Sequence, residues 1–236
     1  HYGIGADGII LMEHSDIADA KMRMFNADGS EGAMAGNALR CMGKYLYDSG
    51  IAAKEDLRIE TGIGVREVHV YTTNGKVTSA CVDMGKATLD AAALRFTIPE
   101  KTVVDYPVFI GGQSFNITCV DVGNPHCVVF CPRVDDVDVE FIGPRFEHAP
   151  YFPERINTEF VRVVNPSTIK MRVWERGSGE TMACAAVVAA VANGMCEKGR
   201  DVTVRAAGGD LVVNYTDEKI TLTGDAKLVY TGEAEY

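Results

Sequence analysis

The sequence predicts an α+β protein built from two related halves, each with one helix among several strands. Three observations lead to this prediction. Many short segments alternate apolar and polar residues with a period of two, which is typical of strands. Only two segments have helical character. The order of features in the first half of the chain is repeated in the second half, which indicates a duplicated α/β unit.

The strands are predicted from alternation and from turn residues. The predicted strands cover residues 9–12, 21–25, 65–71, 77–84, 115–121, 128–131, 159–164, 169–174 and 219–222. Asn74-Gly75 stands between two of them, and this dipeptide supplies the positive φ angles that a type I′ hairpin needs. We therefore expect residues 65–84 to form an antiparallel hairpin.

Two helices are predicted, one in each half. Residues 38–48 are apolar at 38, 39, 42, 45 and 46, and residues 184–193 are almost entirely alanine and valine. A glycine follows each helix, Gly50 and Gly194, at the C′ position that favours a left-handed backbone. The second helix lacks a polar stripe, so we expect strands to surround it.

The repeat also predicts the domain boundary. Polar, glycine-containing segments at 26–31 and 175–181 each precede a helix, and later strands end in the similar sequences 84–87 and 223–226. We place a hinge near residues 84–90. The first domain then covers residues 1–85, together with a returning C-terminal strand at 227–236, and the second covers 86–226. Because the sequence begins at His1 on a glycine-rich stretch, we expect a native N-terminal segment to precede it.

Composition limits the classes of ligand. The 236 residues carry a formal net charge of −10, which argues against nucleic acid and anionic membrane as partners, so we expect a small-molecule substrate. Five scattered histidines and no Cys-x-x-Cys pair predict no metal site. Seven cysteines without paired spacing suit a reducing cytoplasm. The longest apolar run, 182–191, is shorter than the roughly 18 residues of a membrane span.

Two segments combine short polar side chains with bare backbone N–H groups in front of a helix. Residues 25–41 would favour an anion there, a carboxylate or the charge of an enolate, or would simply cap the helix without a ligand. Residues 174–184 repeat the design and add Glu175, Arg176 and Cys184. A helix N-terminus lowers a thiol pKa, so Cys184 could serve as a base. The alternative is a small buried apolar residue.

Further candidates lie between strands. Residues 123–127, Gly-Asn-Pro-His-Cys, join two predicted strands, and His126 is either a site residue or a hydrogen-bonded structural histidine. Asn157 similarly offers an amide just before a strand. Residues 3–8 look like a phosphate loop, but a strand follows them rather than a helix, so we expect no nucleotide there.

Taken in order, these motifs resemble the diaminopimelate epimerase family over almost the whole chain. The matching segments are Phe-Asn-Ala-Asp-Gly-Ser-Glu at 25–31, Gly-Asn at 36–37 with Arg-Cys at 40–41, Gly-Asn-Pro-His at 123–126, Asn-Thr-Glu-Phe-Val at 157–161 and Glu-Arg-Gly-Ser-Gly-Glu-Thr at 175–181. One such motif would be weak. Five in the same order make the resemblance specific.

The resemblance implies two pseudo-symmetric domains, each a mixed, mostly antiparallel, barrel-like sheet around a central helix, with the active site in the cleft between them. It implies interconversion of LL- and meso-2,6-diaminopimelate, for lysine and peptidoglycan synthesis, without pyridoxal phosphate, another cofactor or metal. Two cysteines would act on opposite faces of the α-carbon. We also expect a homodimeric assembly.

The resemblance also assigns roles to individual positions. His126 and Glu175 would tune the thiols. Several side chains would bind the substrate's amino and carboxylate groups: Asn26, Asn124, Asn157, Glu175 and Arg176. Gly36 and Asn37 would bind these groups through the backbone.

Two departures from the family pattern bear on turnover. The family reads Met-Cys-Gly-Asn where residues 34–37 read Met-Ala-Gly-Asn, so Ala35 stands at the position of the first catalytic cysteine. Without a gap, Cys184 is the second catalytic cysteine. If five family residues are missing after Ala183, which we favour, Cys184 is a later structural cysteine and the true base is absent from this sequence. We expect a form that is inactive or slow.

Two other functions fit parts of the pattern. A proline or hydroxyproline racemase of the same superfamily would also work without a cofactor, but such enzymes usually carry histidine at the position of Asn37. A non-catalytic amino-acid-binding relative is favoured by Ala35.

Overall fold

A computed structural model describes residues 5–6, 8–91, 95–181, 190–193 and 197–233. Within these residues, fifteen strands, two complete α-helices and a helical segment at 190–192 form a mixed, sheet-dominated α+β fold, as predicted. The first part contains β1 (Gly8–Glu13), β2 (Ala20–Asn26), β3 (Glu31–Gly32), α1 (Gly36–Asp48), β4 (Asp56–Thr61), β5 (Gly64–Thr73) and β6 (Lys76–Gly85). No helix in the described part of the chain is long and apolar enough to cross a membrane.

The described residues from 95 onward add nine strands and the second complete α-helix. In order these are β7 (Tyr106–Ile110), β8 (Gln113–Asp121), β9 (Pro125–Phe130), a 3₁₀ turn at Val134–Asp136, α2 (Val139–Glu147), β10 (Asn157–Asn165), β11 (Thr168–Glu175), β12 (Gly179–Thr181), β13 (Asp201–Ala206), β14 (Gly209–Tyr215) and β15 (Ile220–Asp225). All the strands predicted from alternation are present, with ends that differ by a few residues.

The strands hydrogen-bond along one continuous path. The order is β1-β2-β4-β5-β6-β15-β14-β13-β11-β10-β9-β8-β7, with β3 on β2 and β12 on β11. Three pairs are parallel, β2 with β4, β9 with β10 and β11 with β13, and the other pairs are antiparallel. Strand β15 returns from the end of the chain to pair with β6, and this ladder joins the two parts of the sheet.

The β5–β6 hairpin follows from its turn residues. Asn74 and Gly75 have φ angles of 53° and 73°, the left-handed pair that a type I′ turn requires. Behind the turn, Val77, Ala80 and Val82 of β6 point into the core. The predicted hairpin is therefore confirmed.

Helix α1 lies against the inner face of this sheet. Leu39, Met42 and Leu46 are buried at helical spacing, and a methyl group on Gly43 would lie only 2.8 Å from Val68 Cγ1. The helix ends as predicted, because Gly50 follows it with a φ of 76°.

Helix α2 was not among the two predicted helices, and this is a correction. Asp138 caps it by accepting a hydrogen bond from Phe141 N, and Phe146 packs edge-on against Phe115 and Phe160. Pro144 lies inside the helix, where it removes one backbone donor and lowers the helical propensity of the sequence. Of the predicted helix at 184–193, residues 190–192 are helical, while Cys184 and Gly194 lie outside the described residues.

Two hydrophobic clusters form the core. The larger packs around α1 and reaches β13–β15, and the smaller lies between α2 and β7–β10. The division into domains at residue 85 stays a prediction. Of the predicted C-terminal strand 227–236, residues 227–233 are described and contain no strand, so β15 makes the return to the first half.

Candidate active site

A cavity of about 580 Å³ opens where the ends of several strands meet the N-terminus of α1. Its lining comes from sequence positions 140 or more residues apart, with Met24 and Ala35 from the first part of the chain and Glu175 and Arg176 from the second. Leu222 of β15 and Met84 of β6 form part of the floor. The cavity is therefore created by the pairing of the two parts of the sheet.

The first wall is the N-terminus of α1. Ala35 is the N-cap residue, with an extended backbone (φ −142°, ψ 129°) and no side-chain cap, and the first turn of α1 contains no acidic residue. The positive end of the helix dipole is therefore not neutralised by its own helix. Gly36 is tightly packed, because a methyl group there would lie 2.9 Å from Leu222 Cδ2 and 2.9 Å from Met84 Sδ. This wall suits a carboxylate.

A tight turn carries Asn26 to the edge of this wall. Asn26 ends β2, and its side-chain amide donates to Ser30 Oγ at 3.0 Å. Gly29 takes a φ of 84° to close the turn. Asp28 also lines the cavity, and hydrogen bonds from the Ser30 hydroxyl and backbone N–H lower the pKa of its carboxyl.

The opposite wall begins with the turn between β8 and β9. His126 is buried; its Nε2 lies 2.8 Å from Asn124 Oδ1 and its Nδ1 lies 2.8 Å from Glu159 Oε1. Burial raises the pKa of Glu159, His126 opposes that rise, and the nearby charge of Glu175 adds to it. The sequence left open whether His126 is a site residue or a hydrogen-bonded structural histidine. In the structure it is hydrogen-bonded and also lines the cavity.

Asn157, Glu175 and Arg176 complete this wall. Asn157 opens β10, is 4% exposed, and accepts a hydrogen bond from Arg176 N at 2.9 Å. Glu175 ends β11 and accepts a hydrogen bond from the Thr181 hydroxyl. The Arg176 guanidinium donates to the carbonyl of Glu154 at 3.0 Å. These contacts fix the loop that follows β11.

The structure brings together nearly all of the predicted site residues. Nine of them line this one cavity: Asn26, Ala35, Gly36, Asn37, Asn124, His126, Asn157, Glu175 and Arg176. The tenth, Cys184, lies outside the described residues. Their shared location is a finding about geometry, and the roles assigned to them stay predictions.

Four charged residues on the cavity were not predicted. Asp28 and Glu31 lie inside a motif that the sequence had already singled out. Glu154 and Arg155 come shortly before Asn157. In the sequence, the signal that could have identified them was the presence of charged side chains within or beside the motifs at 25–31 and 157–161. Arg155 also has a φ of 61°, a conformation that a non-glycine residue rarely adopts, and only the structure reveals it.

The cysteines in the described part of the chain lie away from the cavity. Cys41, Cys81, Cys119, Cys127 and Cys131 are free, and none of them lines it. Burial raises the pKa of the Cys127 thiol, with a further contribution from Cys119. None of these five thiols can therefore act on a molecule in the cavity. Among the described residues, no group of three or more His, Cys, Asp or Glu side chains could hold a metal ion.

Comparison with known proteins gives one consistent family. The sequence model described as diaminopimelate epimerase matches residues 1–89 and 118–235. A diaminopimelate epimerase of Desulfovibrio desulfuricans is 46% identical over 246 residues, covering 99% of this chain and 85% of the relative. One of Acetivibrio thermocellus is 45% identical over 242 residues, covering 100% of this chain and 86% of the relative.

Solved structures agree on the fold. A hydroxyproline epimerase from Agrobacterium vitis superposes with a TM-score of 0.71 at 13% identity, covering 92% of this chain and 71% of that one. A phenazine biosynthesis protein of the PhzF family from Enterococcus faecalis superposes with a TM-score of 0.64 at 14% identity, covering 98% and 83%. At such identities only the architecture is shared. By the family model and the relatives above 40% identity, this chain belongs to the diaminopimelate epimerase family, whose named members are isomerases.

Proposed function

We propose that this chain is a diaminopimelate epimerase scaffold that binds 2,6-diaminopimelate in the cavity, and that epimerisation is absent or slow because Ala35 replaces the first catalytic cysteine. One observation carries the proposal. The nine described site residues, which come from five separate segments of the sequence, line a single cavity at the N-terminus of α1. The relatives named above support diaminopimelate as the ligand.

The cavity offers complementary groups for an amino acid. A carboxylate of the substrate would accept hydrogen bonds at the N-terminus of α1, where no acidic side chain competes for the positive end of the helix. Asn26, Asn124 and Asn157 would bind polar groups through their amides, and Arg176 would pair with a carboxylate. Glu175 would attract an ammonium group. The negative charge that forms as the α-proton leaves would be stabilised by the same helix N-terminus.

Proton transfer is the step that this chain lacks on one face of the substrate. A general base must come within hydrogen-bond reach of the proton that it removes, and the methyl group of Ala35 carries no exchangeable proton. His126 and Glu175 would tune a thiol but stand in a wall that contains no cysteine among the described residues. Cys184 would act on the opposite face if it is the second base.

Exchange of the α-proton with solvent deuterium, followed by proton NMR, tests the proposal. Calorimetry should detect binding of diaminopimelate, while the unaltered chain should exchange the α-proton negligibly. A35C should restore exchange if Cys184, or a cysteine missing from this sequence after Ala183, is the partner base. A33C is the matched control, since Ala33 also lines the cavity but stands two residues away. Rapid exchange in the unaltered chain would contradict the proposed effect of Ala35.

The second candidate is a non-catalytic amino-acid-binding protein, and Ala35 is the observation that favours it. It predicts binding without exchange in both the unaltered chain and A35C. The proline or hydroxyproline racemase alternative predicts tighter binding of a cyclic imino acid than of diaminopimelate. Titrations with diaminopimelate, proline and hydroxyproline, together with the exchange assay on A35C, separate these functions. The homodimer and the cytoplasmic location stay predictions.

A further inference from the structure

Glu147 is a carboxylate in a place that disfavours one. It is the last residue of α2, and its side chain is 5% exposed. The C-terminus of a helix carries partial negative charge, so an acidic side chain there is destabilised. Removing a carboxylate from water adds a further cost. Both costs must be offset by specific partners.

Three donors converge on the two oxygens of this carboxylate. The Trp174 indole Nε1–H donates to Oε2 at 2.7 Å. The backbone N–H of Gly177 donates to Oε1 at 3.2 Å, and Arg155 Nη1 lies 3.4 Å from the same oxygen. Hydrogen bonds to a charged acceptor are stronger than those between neutral groups, so together these contacts can hold the side chain in place.

The partners of Glu147 belong to two loops that line the cavity. Arg155 lies in the loop before β10, and Gly177 lies in the loop after β11; both residues line the cavity, whereas Glu147 does not. Arg155 keeps a left-handed φ of 61°, which costs roughly 1 kcal/mol or more and persists only when its surroundings fix it. Glu147 therefore joins two loops from behind the cavity wall.

Gly143 makes the contact with Trp174 possible. It precedes Glu147 by one helical turn, and a methyl group at Gly143 would lie 2.4 Å from Trp174 Cδ2. Only a residue without Cβ lets the indole lie against α2 with its N–H reaching Glu147. The same face of α2 thus provides both the space and the acceptor for Trp174.

We propose that Glu147 is a positioning residue. Through Trp174, Gly177 and Arg155 it holds in place the two loops that line the cavity before β10 and after β11. Glu147 touches no ligand itself. Its carboxylate holds the segment 175–178, and with it Glu175 and Arg176, against the loop that carries Arg155. The inference rests on the proposed function, because it assigns Glu147 to the binding of diaminopimelate.

The test uses E147Q in the otherwise unaltered chain, with E180Q as the matched control. An amide keeps one acceptor oxygen and turns an NH₂ group toward donors, so at least one of the three contacts is lost. Glu180 is also a partly buried carboxylate with two hydrogen bonds, from Arg172 Nε and Nη2, but neither residue lines the cavity. Both variants exchange one carboxylate for an amide, but only E147Q removes a partner of the indole N–H and of two residues that line the cavity.

Two readouts separate positioning from general stability. Trp174 is the only tryptophan, so intrinsic fluorescence reports directly on its contact with Glu147. In E147Q we expect a changed emission maximum, stronger acrylamide quenching, and affinity for meso-diaminopimelate that is weaker by about tenfold or more. In E180Q we expect both readouts to match the unaltered chain.

The outcomes distinguish the two proposals. If the unaltered chain binds no diaminopimelate, the proposed function fails, while the fluorescence of E147Q still decides whether Glu147 holds Trp174. The inference is overturned if E147Q matches the unaltered chain in both readouts, or if E180Q loses affinity equally. Should E147Q not fold, W174F removes a single donor and should weaken binding severalfold, and unchanged affinity in W174F overturns the inference.

Discussion

His126 Nδ1 lies 2.8 Å from Glu159 Oε1, and both side chains are almost fully buried. Among the residues that the structure describes, the second carboxylate oxygen of Glu159 has no hydrogen-bond partner. Because Nε2 of the same ring faces Asn124 Oδ1, the pair extends from the core to an amide on the cavity. The protonation of the Glu159 carboxyl should therefore affect the stability of the fold.

The first prediction concerns the pH dependence of stability. Burial raises the pKa of Glu159 above its ordinary value of 4.5, so the folded state binds this proton more strongly than the unfolded state. The stability contribution is complete below pH 4.5 and is lost as the pH rises through the raised pKa. The free energy of unfolding of the unaltered chain, minus that of E159Q, should therefore fall as the pH rises above 4.5. Urea denaturation across pH measures it.

Carboxyls with lowered pKa values, such as those of Asp19 and Asp48, act in the opposite sense, because their contribution to the stability of the fold is lost as the pH falls. E159Q changes neither residue, so these contributions cancel in the difference between the two proteins. A difference that is flat with pH, or that rises, would show that Glu159 does not hold its proton more strongly in the folded state.

The second prediction concerns Gly36. A methyl group there would press on Leu222 and Met84 at 2.9 Å each, so G36A should destabilise the fold by about 1–3 kcal/mol and weaken binding at α1. Thermal unfolding and calorimetry measure the two effects. G232A is the control, since a methyl group on Gly232 meets nothing within 4 Å and Gly232 has no positive φ. Equal stability of G36A and G232A would contradict the tight packing.

The third prediction concerns Asn157. Its Oδ1 accepts the backbone N–H of Arg176 at 2.9 Å, in a position that is 4% exposed. N157A leaves this donor unpaired, which should cost about 1–3 kcal/mol of stability and release Arg176 from the wall. Amide hydrogen exchange at Arg176 should accelerate in N157A. Unchanged protection would mean that the loop is held without this bond.

The fourth prediction tests a part of the fold far from the cavity. Gly75 occupies a left-handed position in the β5–β6 turn, with no atom near enough to clash with an added methyl group. G75A should therefore destabilise by about 1 kcal/mol through backbone strain alone, with affinity for diaminopimelate unchanged. Chemical denaturation and calorimetry on the same sample give both values, and a loss of affinity would argue against separate effects.

Features with local causes could be predicted from the sequence alone. Alternation located the strands, Asn74-Gly75 set the hairpin, and the apolar spacing of 38–48 located α1. Nine of the ten predicted site residues line the cavity, and each of them lies in a short motif of unusual composition. The resemblance of these motifs to one family then pointed to a common cleft, and the described geometry gathers the nine into one cavity.

The residues outside the motifs that support this cavity could be identified only after the chain segments were placed in three dimensions. Helix α2 was not predicted, because Pro144 lies inside it and lowers its helical propensity. Glu147 was therefore not predicted either, and its partner Trp174 lies 27 residues away in sequence. The ladder of β15 on β6 likewise joins positions more than 130 residues apart. Propensity and turn chemistry act over a few neighbours, whereas burial and convergent hydrogen bonds arise from chain segments that meet only on folding. Local propensities therefore predict the helices and strands, whereas long-range packing determines which residues lie behind the cavity lining.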